Sequence, residues 1–223
     1  MPSVKNVGYI VPMCVCVGTF FVIKPGRMLF QVIFNKFKPP RAYLLRLMKE
    51  KTKLAVTGVP FLIGSSTLRR IPTNVISGMF FENIAVDWSG TLQLKVLCKE
   101  IESKKPTLIV CYSGVNDLGH IPPSLIIANI LGTSRSFKCS FVYISIICSR
   151  IQHFIGKERL NMIKDINSQV EIYLKQNGNY FLNLSNHFEE EHFENDGLHL
   201  NECGNALLLV FLEEFIQDKK LVV

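Results

Sequence analysis

The sequence predicts an α/β domain in which a doubly wound, mostly parallel sheet of five strands carries helices on both faces. Three observations support this fold class. Beyond residue 53, short apolar runs alternate with segments of helical apolar spacing, a pattern typical of right-handed βαβ crossovers. A chain of 223 residues, 48% of them hydrophobic, is long enough to bury one sizeable core. Charged residues make up only 19%, which argues against a disordered chain.

Each element is predicted from the spacing of its apolar residues. The strand-like runs are residues 59–63, 81–86, 107–112, 141–148 and 180–184. The helix-like segments are residues 91–103, 123–131, 158–175 and about 203–217. Five parallel strands in this alternation predict a flavodoxin-like sheet, whose binding site lies at the carboxyl ends of the strands.

The first 53 residues differ from the rest in charge and in apolar pattern. They carry ten Lys or Arg residues and one acidic residue, a net charge of +9, whereas residues 54–223 carry fifteen basic and seventeen acidic residues, a net charge of −2. We therefore predict an apolar and then basic extension over residues 1–53, followed by a folded domain over residues 54–223.

This extension allows several interpretations. Residues 9–23 are uncharged and flanked by basic residues, which suits a membrane anchor or a secretion signal, although the run is short and contains Pro12 and Gly18. The alternative is an apolar extension packed on the domain. Residues 24–53 could contact nucleic acid or anionic lipid, or form a solvated basic face. The oligomeric state is left open by the sequence.

Cysteine usage favours an intracellular protein, with a membrane-anchored or secreted protein as the alternative if residues 9–23 are an anchor or signal. The seven cysteines form neither CxxC pairs nor Cys/His clusters at zinc spacing. Cys111 and Cys148 lie inside apolar runs, which favours buried free thiols. We expect no metal and no cofactor.

Polar residues follow several of the predicted strands. GSSTLRR (residues 64–70) follows the first strand, DWSGT (87–91) the second and YSGVND (112–117) the third. FENDGLHLNECGN (193–205) comes after the fifth strand and enters the last helix. One serine of this kind is usually a helix N-cap, and one Asn beside Gly is usually a turn residue. Four such blocks in order indicate a site.

In this order the blocks resemble those of the SGNH hydrolase superfamily, the GDSL-type esterases. The matching residues are Ser66 in the first block, Gly90 in the second, Gly114 and Asn116 in the third, and Asp196 and His199 in the last. The resemblance covers residues 56–218. It implies the SGNH hydrolase fold and the cleavage of a small ester.

The resemblance also implies a role for each matching residue. Ser66 would be the nucleophile, His199 its base, and Asp196 the carboxylate that orients the imidazole. The oxyanion hole would combine the backbone N–H groups of Ser66 and Gly90 with the side-chain amide of Asn116. Asp117 is expected to cap the turn or helix that follows it, and His120 to have no catalytic role.

One position departs from the superfamily pattern, because Ser65 stands where the Asp of GDS is usual. The first block, IGSS followed by Arg69 and Arg70, and the ending DGLHLNECGN resemble a transposon-associated animal subgroup. The sequence leaves two functions open. One is a serine esterase, and the other is a catalytically silent module on the same fold, associated with nucleic acid through residues 24–53.

Overall fold

A computed structural model describes residues 40–148 and 156–221 of the chain. The predicted anchor or signal at residues 9–23 lies outside these ranges, and so do residues 24–39 of the predicted basic segment 24–53. The described helices are α1 (Arg41–Leu54), α2 (Ser66–Arg69), α3 (Thr91–Glu102), α4 (Pro123–Ser134), α5 (Lys157–Gln176) and α6 (Glu202–Asp218). The strands are β1 (Phe61–Gly64), β2 (Val75–Ile76), β3 (Met79–Phe80), β4 (Glu82–Asn83), β5 (Leu108–Tyr112), β6 (Ser140–Ile144) and β7 (Tyr180–Leu182).

The main sheet has the strand order β4-β1-β5-β6-β7, and all its neighbours pair in parallel. This is the flavodoxin-like order, in which the connections reverse direction beside the first strand. The predicted doubly wound α/β fold is confirmed. The reversal places the loops that follow β1 and β5 side by side, and these loops carry Ser66 and Asn116.

The strands form because their residues are buried on both faces. Every residue of β1 and of β5 is buried, as the apolar runs predict for central parallel strands. Strand β4 continues as extended chain beyond its assigned end, because the N–H groups of Ile84 and Val86 donate to the carbonyls of Leu62 and Gly64 at 3.0 and 2.9 Å. The predicted run at 81–86 therefore lies along β1.

The helices pack against the sheet and against each other. Helix α1 neighbours α3, α3 neighbours α4, and α4 neighbours α5, while α6 contacts hairpin β2–β3 and the turn Glu190–His192. The apolar face predicted for residues 158–175 is the buried face of α5: Ile163, Ile166, Val170 and Leu174 are at most 3% exposed. The predicted helices thus stand within a few residues of their expected bounds.

Two elements differ from the sequence analysis. Helix α1 falls in the predicted extension, yet Leu44 and Met48 are buried and the compact unit runs from Pro39 to Val223. The reason is that its apolar residues recur at helical spacing between basic ones, so the run of positive charge hides an amphipathic helix. The antiparallel hairpin β2–β3 was not predicted, since each strand has only two residues.

Two further observations concern the predicted thiols and membrane spans. Cys111 is a buried free thiol as predicted, whereas the free thiol Cys148 is only partly buried, and burial raises the pKa of both. Among residues 40–148 and 156–221, no helix has the length and apolarity needed to cross a membrane.

Candidate active site

The loop after β1 makes a tight turn that places Ser66 at the start of α2. Gly64 has a φ of +139°, and a Cβ atom at this position would overlap the carbonyl oxygen of Tyr112. The backbone N–H of Ser65 donates to that same oxygen at 3.0 Å. Only glycine lets the chain run this close to β5 before it turns into the helix. Ser66 is the first residue of α2 and is 4% exposed.

Ser65, which replaces the usual Asp, precedes α2 and is fully buried. Its side chain makes no capping bond, and its Oγ has no hydrogen-bond partner among the described residues. The neighbouring hydroxyl of Ser113 on the third loop is buried in the same way. The Ser65 side chain therefore contributes no hydrogen bond to the first loop among the described residues.

The second block, residues 87–91, is bonded to the first through its serine. Ser89 Oγ donates to the carbonyl of Gly64 at 2.7 Å. The backbone N–H of Gly90, which the sequence analysis assigns to an oxyanion hole, instead donates to Gln93 Oε1 at 3.0 Å in this structure. Gln93 is three residues further along, in the first turn of α3, so its side chain can reach back as a cap.

The third block brings Asn116 to the second. Asn116 Nδ2 donates to the carbonyl of Ser89 at 3.0 Å, so at least one of the amide hydrogens predicted for the oxyanion hole bonds the neighbouring loop. Gly114 begins this loop with a φ of +114°, and Val115–Asp117 form one turn of 3-10 helix. The third loop, which follows β5, is thus bonded directly to the second loop, which follows β4.

Asp117 has a structural role that sequence reasoning placed wrongly. Its Oδ2 accepts the backbone N–H of Thr91 at 2.6 Å, so it caps helix α3, 26 residues earlier in the chain, and not the turn that follows it. A Cβ atom on Gly90 would overlap this carboxylate. The sequence shows an acid directly after the Gly-x-Asn block, but it does not show that this acid binds Thr91, because that contact depends on the tertiary structure.

The last block forms a compact loop that joins Asp196 to His199. His199 Nδ1 lies 2.5 Å from Asp196 Oδ2. The other carboxylate oxygen, Oδ1, accepts the backbone N–H groups of Leu198 and His199, each at 2.9 Å. Asp196 therefore binds both the ring and the backbone of the histidine that it orients.

The charge state of Asp196 follows from these bonds. Burial alone would raise the pKa of its carboxyl, but the hydrogen bonds from the His199 ring and from the two backbone N–H groups outweigh burial and lower the pKa to about 2. An ionised carboxylate can only accept hydrogen bonds. His199 Nδ1 must then donate the proton of this bond, so Nε2 is the ring nitrogen that can exchange a proton with a substrate or nucleophile.

The loop also touches the helix of Ser66. Arg70, at the end of α2, donates from Nη1 to Glu194 Oε1 at 2.6 Å. Ligand atoms of Glu194, Asp196 and His199 lie within 4.8 Å of one another. Both carboxylates already have a side-chain partner, because Glu194 forms an ion pair with Arg70 and Asp196 is hydrogen-bonded to the His199 ring.

Three other histidines lie in the described part of the chain. His120 is exposed in the turn after Asp117. His187 lies edge-on to the ring of Phe211, and His192 Nδ1 accepts the backbone N–H of Glu189 at 2.9 Å.

Comparisons with known proteins identify the fold. No sequence family and no curated protein matches the chain. Solved structures do match. A GDSL-like lipase from Bacteroides thetaiotaomicron has a TM-score of 0.64 at 16% identity, covering 81% of this chain and 100% of the other. The lipase/acylhydrolase from Enterococcus faecalis has a TM-score of 0.59 at 17% identity, covering 72% and 96%.

A psychrotrophic esterase from Pseudoalteromonas, solved with the inhibitor monoethylphosphonate, matches with a TM-score of 0.55 at 15% identity, covering 72% of this chain and 97% of the other. Similarity at such low identity is informative about fold alone. The strand order, the parallel pairing and these neighbours agree, and the chain has the doubly wound α/β fold of the GDSL-type, or SGNH, hydrolases.

Proposed function

We propose that this chain is a serine ester hydrolase that cleaves a small ester through Ser66, His199 and Asp196. The observation that carries the proposal is the 2.5 Å contact between His199 Nδ1 and an Asp196 carboxylate held by two backbone N–H groups. This geometry fixes the tautomer in which Nε2 can accept a proton, which is the requirement for a general base in acyl transfer. The fold of the lipases and esterases above adds support by analogy.

The proposed reaction begins when Ser66 Oγ attacks the ester carbonyl carbon. The hydroxyl proton passes to His199 Nε2, and Asp196 stabilises the imidazolium through Nδ1–H. The carbonyl oxygen becomes an oxyanion. Collapse of this intermediate expels the alcohol, which takes the proton from Nε2 and leaves Ser66 acylated. Water then attacks the acyl group by the same steps in reverse order and releases the acid.

Stabilisation of the oxyanion requires a change in the hydrogen bonds that the proposed donors make in this structure. The Ser66 N–H is at the start of α2, where a helix leaves N–H groups without helical partners. The Gly90 N–H would have to leave Gln93, and Asn116, whose amide has two hydrogens, would have to direct one of them towards the substrate. Apo active sites often hold such hydrogen bonds in arrangements that change on substrate binding.

The decisive experiment compares two adjacent serines. Wild type, Ser66→Ala and Ser65→Ala are tested for hydrolysis of short-chain p-nitrophenyl esters and for covalent labelling by a fluorophosphonate. We expect turnover and labelling in wild type and in Ser65→Ala, and loss of both in Ser66→Ala. If folded wild-type protein shows neither hydrolysis nor labelling, the esterase proposal is overturned and the silent module is favoured.

The silent module, with nucleic acid bound through residues 24–53, is the remaining alternative. A deletion of residues 1–53 is a poor test of it, because Leu44 and Met48 of α1 are buried in the fold. A deletion that ends at residue 38, combined with neutralisation of the exposed Arg41 and Arg46, keeps this helix. Salt-dependent RNA binding that is lost in this variant would support the alternative.

A further inference from the structure

Two consecutive arginines, Arg69 and Arg70, close the helix that begins with Ser66, and each is bonded to a different loop of the candidate site. Arg69 Nη1 forms an ion pair with Asp87 Oδ2. Arg70 Nη1 donates to Glu194 Oε1 at 2.6 Å. Asp87 belongs to the second block and Glu194 to the last, so the four residues connect three of the four strand-end loops.

Asp87 opens the turn that leads to Gly90. The next residue, Trp88, has a φ of +65°, a left-handed conformation that is costly for a large side chain and must be held by its surroundings. The Arg69 ion pair anchors the start of this turn to α2. Ser89, one residue further, anchors the turn to Gly64.

Glu194 is part of the loop that carries Asp196 and His199. Its backbone N–H donates to the carbonyl of His199 at 2.8 Å, and its own carbonyl accepts the N–H of Gly197 at 2.9 Å. The position of Glu194 therefore sets the position of the whole turn. The side chain of Arg70 therefore connects that turn to helix α2, which begins at Ser66.

Two simpler roles for the arginines fit the structure less well. Arginines that bind an acidic substrate group would keep their guanidinium groups available, whereas both are engaged with carboxylates here. Ordinary surface ion pairs would have no reason to join loops of the candidate site, as these two pairs do. The side chains are 39% exposed for Arg70 and 46% for Glu194, so the pair can contribute little to stability.

We propose that Arg69 and Arg70 form an arginine clamp, defined as the pairs Arg69–Asp87 and Arg70–Glu194. The clamp positions two loops relative to Ser66: the second block (residues 87–91), which carries the proposed oxyanion donor, and the last block, which carries the proposed acid and base. The inference rests on the proposed function, because it assigns these residues a role in that site. The arginines are positioning residues and touch no reacting atom. A displacement of about 1 Å between reacting groups can cost up to about 100-fold in rate, so weak ion pairs can matter here.

The kinetic test uses Arg70→Met, Arg69→Met, Arg70→Lys and the charge exchange Arg70→Glu with Glu194→Arg. Arg46→Met is the matched control, since Arg46 forms a 3.0 Å surface pair with Glu50 on α1. We expect kcat to fall about tenfold or more in each methionine variant of the clamp, with KM within about twofold of wild type. Arg70→Lys and the charge exchange should recover most of kcat, and the thermal midpoint should shift no more than in Arg46→Met.

Hydrogen exchange of backbone amides separates failure of the clamp from failure of the proposed function. Arg70→Met should speed exchange in residues 193–200, Arg69→Met in residues 87–91, and Arg46→Met in neither. This readout needs no turnover. Wild type without Ser66-dependent hydrolysis would defeat the proposed function, while unchanged exchange in both loops would overturn the clamp. Unchanged kcat in an active enzyme would also overturn it.

Discussion

The backbone N–H of Thr91 donates a 2.6 Å hydrogen bond to Oδ2 of Asp117, so the third strand-end loop caps the helix that begins in the second. Asp117 is 4% exposed and follows Asn116 directly. Asn116 in turn donates to the carbonyl of Ser89 in the second loop. Two adjacent residues thus bind the Gly90 turn from its two sides, and the geometry of this turn depends on both.

Replacing Asp117 by alanine should lower the free energy of unfolding by about 1 to 3 kcal/mol, because the buried N–H of Thr91 would lose its acceptor. Urea unfolding followed by circular dichroism measures this loss. Asp165→Ala is the control, since Asp165 is exposed on α5 and binds only Gln169 among the hydrogen bonds described here. It should change stability by no more than about 0.5 kcal/mol. Equal losses in the two variants would contradict the capping role.

Two glycines with positive φ should respond very differently to alanine. Gly64→Ala should cost at least about 3 kcal/mol or prevent folding, because its Cβ would overlap the Tyr112 carbonyl and its backbone conformation is unsuited to a side chain. Gly58→Ala should cost about 1 kcal/mol, because Gly58 has a φ of +74° but open space around it. Thermal denaturation of both variants tests the difference. A Gly64→Ala protein as stable as Gly58→Ala would show that the turn before Ser66 can move.

Gln93→Leu removes the side chain that occupies the Gly90 N–H. Stability should fall by about 1 kcal/mol, since the buried N–H loses its partner. If Gly90 contributes to the oxyanion hole, kcat for p-nitrophenyl esters should rise by about threefold, because this N–H no longer has to leave an internal acceptor. Gln169→Leu on the exposed face of α5 serves as the control. A fall in kcat would contradict this expectation. It would mean either that the Gly90 N–H is not part of the proposed oxyanion hole or that the hole needs Gln93 to keep its geometry.

The Asp196 carboxyl should make stability depend on acid pH. Its pKa of about 2 in the folded chain lies below the ordinary value of 3.8, so the folded state binds this proton less readily than the unfolded state. The resulting stabilisation is present above about pH 4 and is lost as the pH falls through 2. Because 29% of the side chain is exposed, we expect only about 1 kcal/mol.

The measurement compares wild type with Asp196→Asn by urea unfolding at several pH values between 2 and 6. The amide cannot ionise, so the stability difference between the two proteins should shrink as the pH falls from 4 to 2. Asp165→Asn provides the comparison for a surface acid on α5. A stability difference that stays constant over this range would mean that the Asp196–His199 contact does not hold the carboxylate in its charged form.

Much of the fold could be predicted from the sequence, because it depends on local pattern. The strands end within a few residues of the predicted runs, since β5 and its neighbours are buried on both faces and therefore read as continuous apolar stretches. The histidine and aspartate of the last block could be paired in advance, because three residues of spacing let one loop hold both. The assignment of Ser66, Asp196 and His199 as a triad stays a prediction.

Other features were beyond reach of the sequence because they join residues far apart in the chain. The charge of residues 41–54 predicts a basic extension, and only the structure shows that they form helix α1 with Leu44 and Met48 buried. Asp117 was expected to cap the turn or helix that follows it, and only the tertiary structure shows that it binds Thr91, whose loop follows β4 on the far side of β1. The Gly90 N–H looked available, and only the side-chain conformation of Gln93 shows that it is engaged.

The alternation of strands and helices and the polar residues at the strand ends can be read from the chain alone, because hydrophobic period and turn chemistry are local properties. Which of those residues bond to each other follows from the folded structure. Hydrogen bonds and ion pairs act over about 3 Å, and whether Arg69 meets Asp87 or Arg70 meets Glu194 depends on how loops from different strands pack. That packing is a property of the folded sheet as a whole.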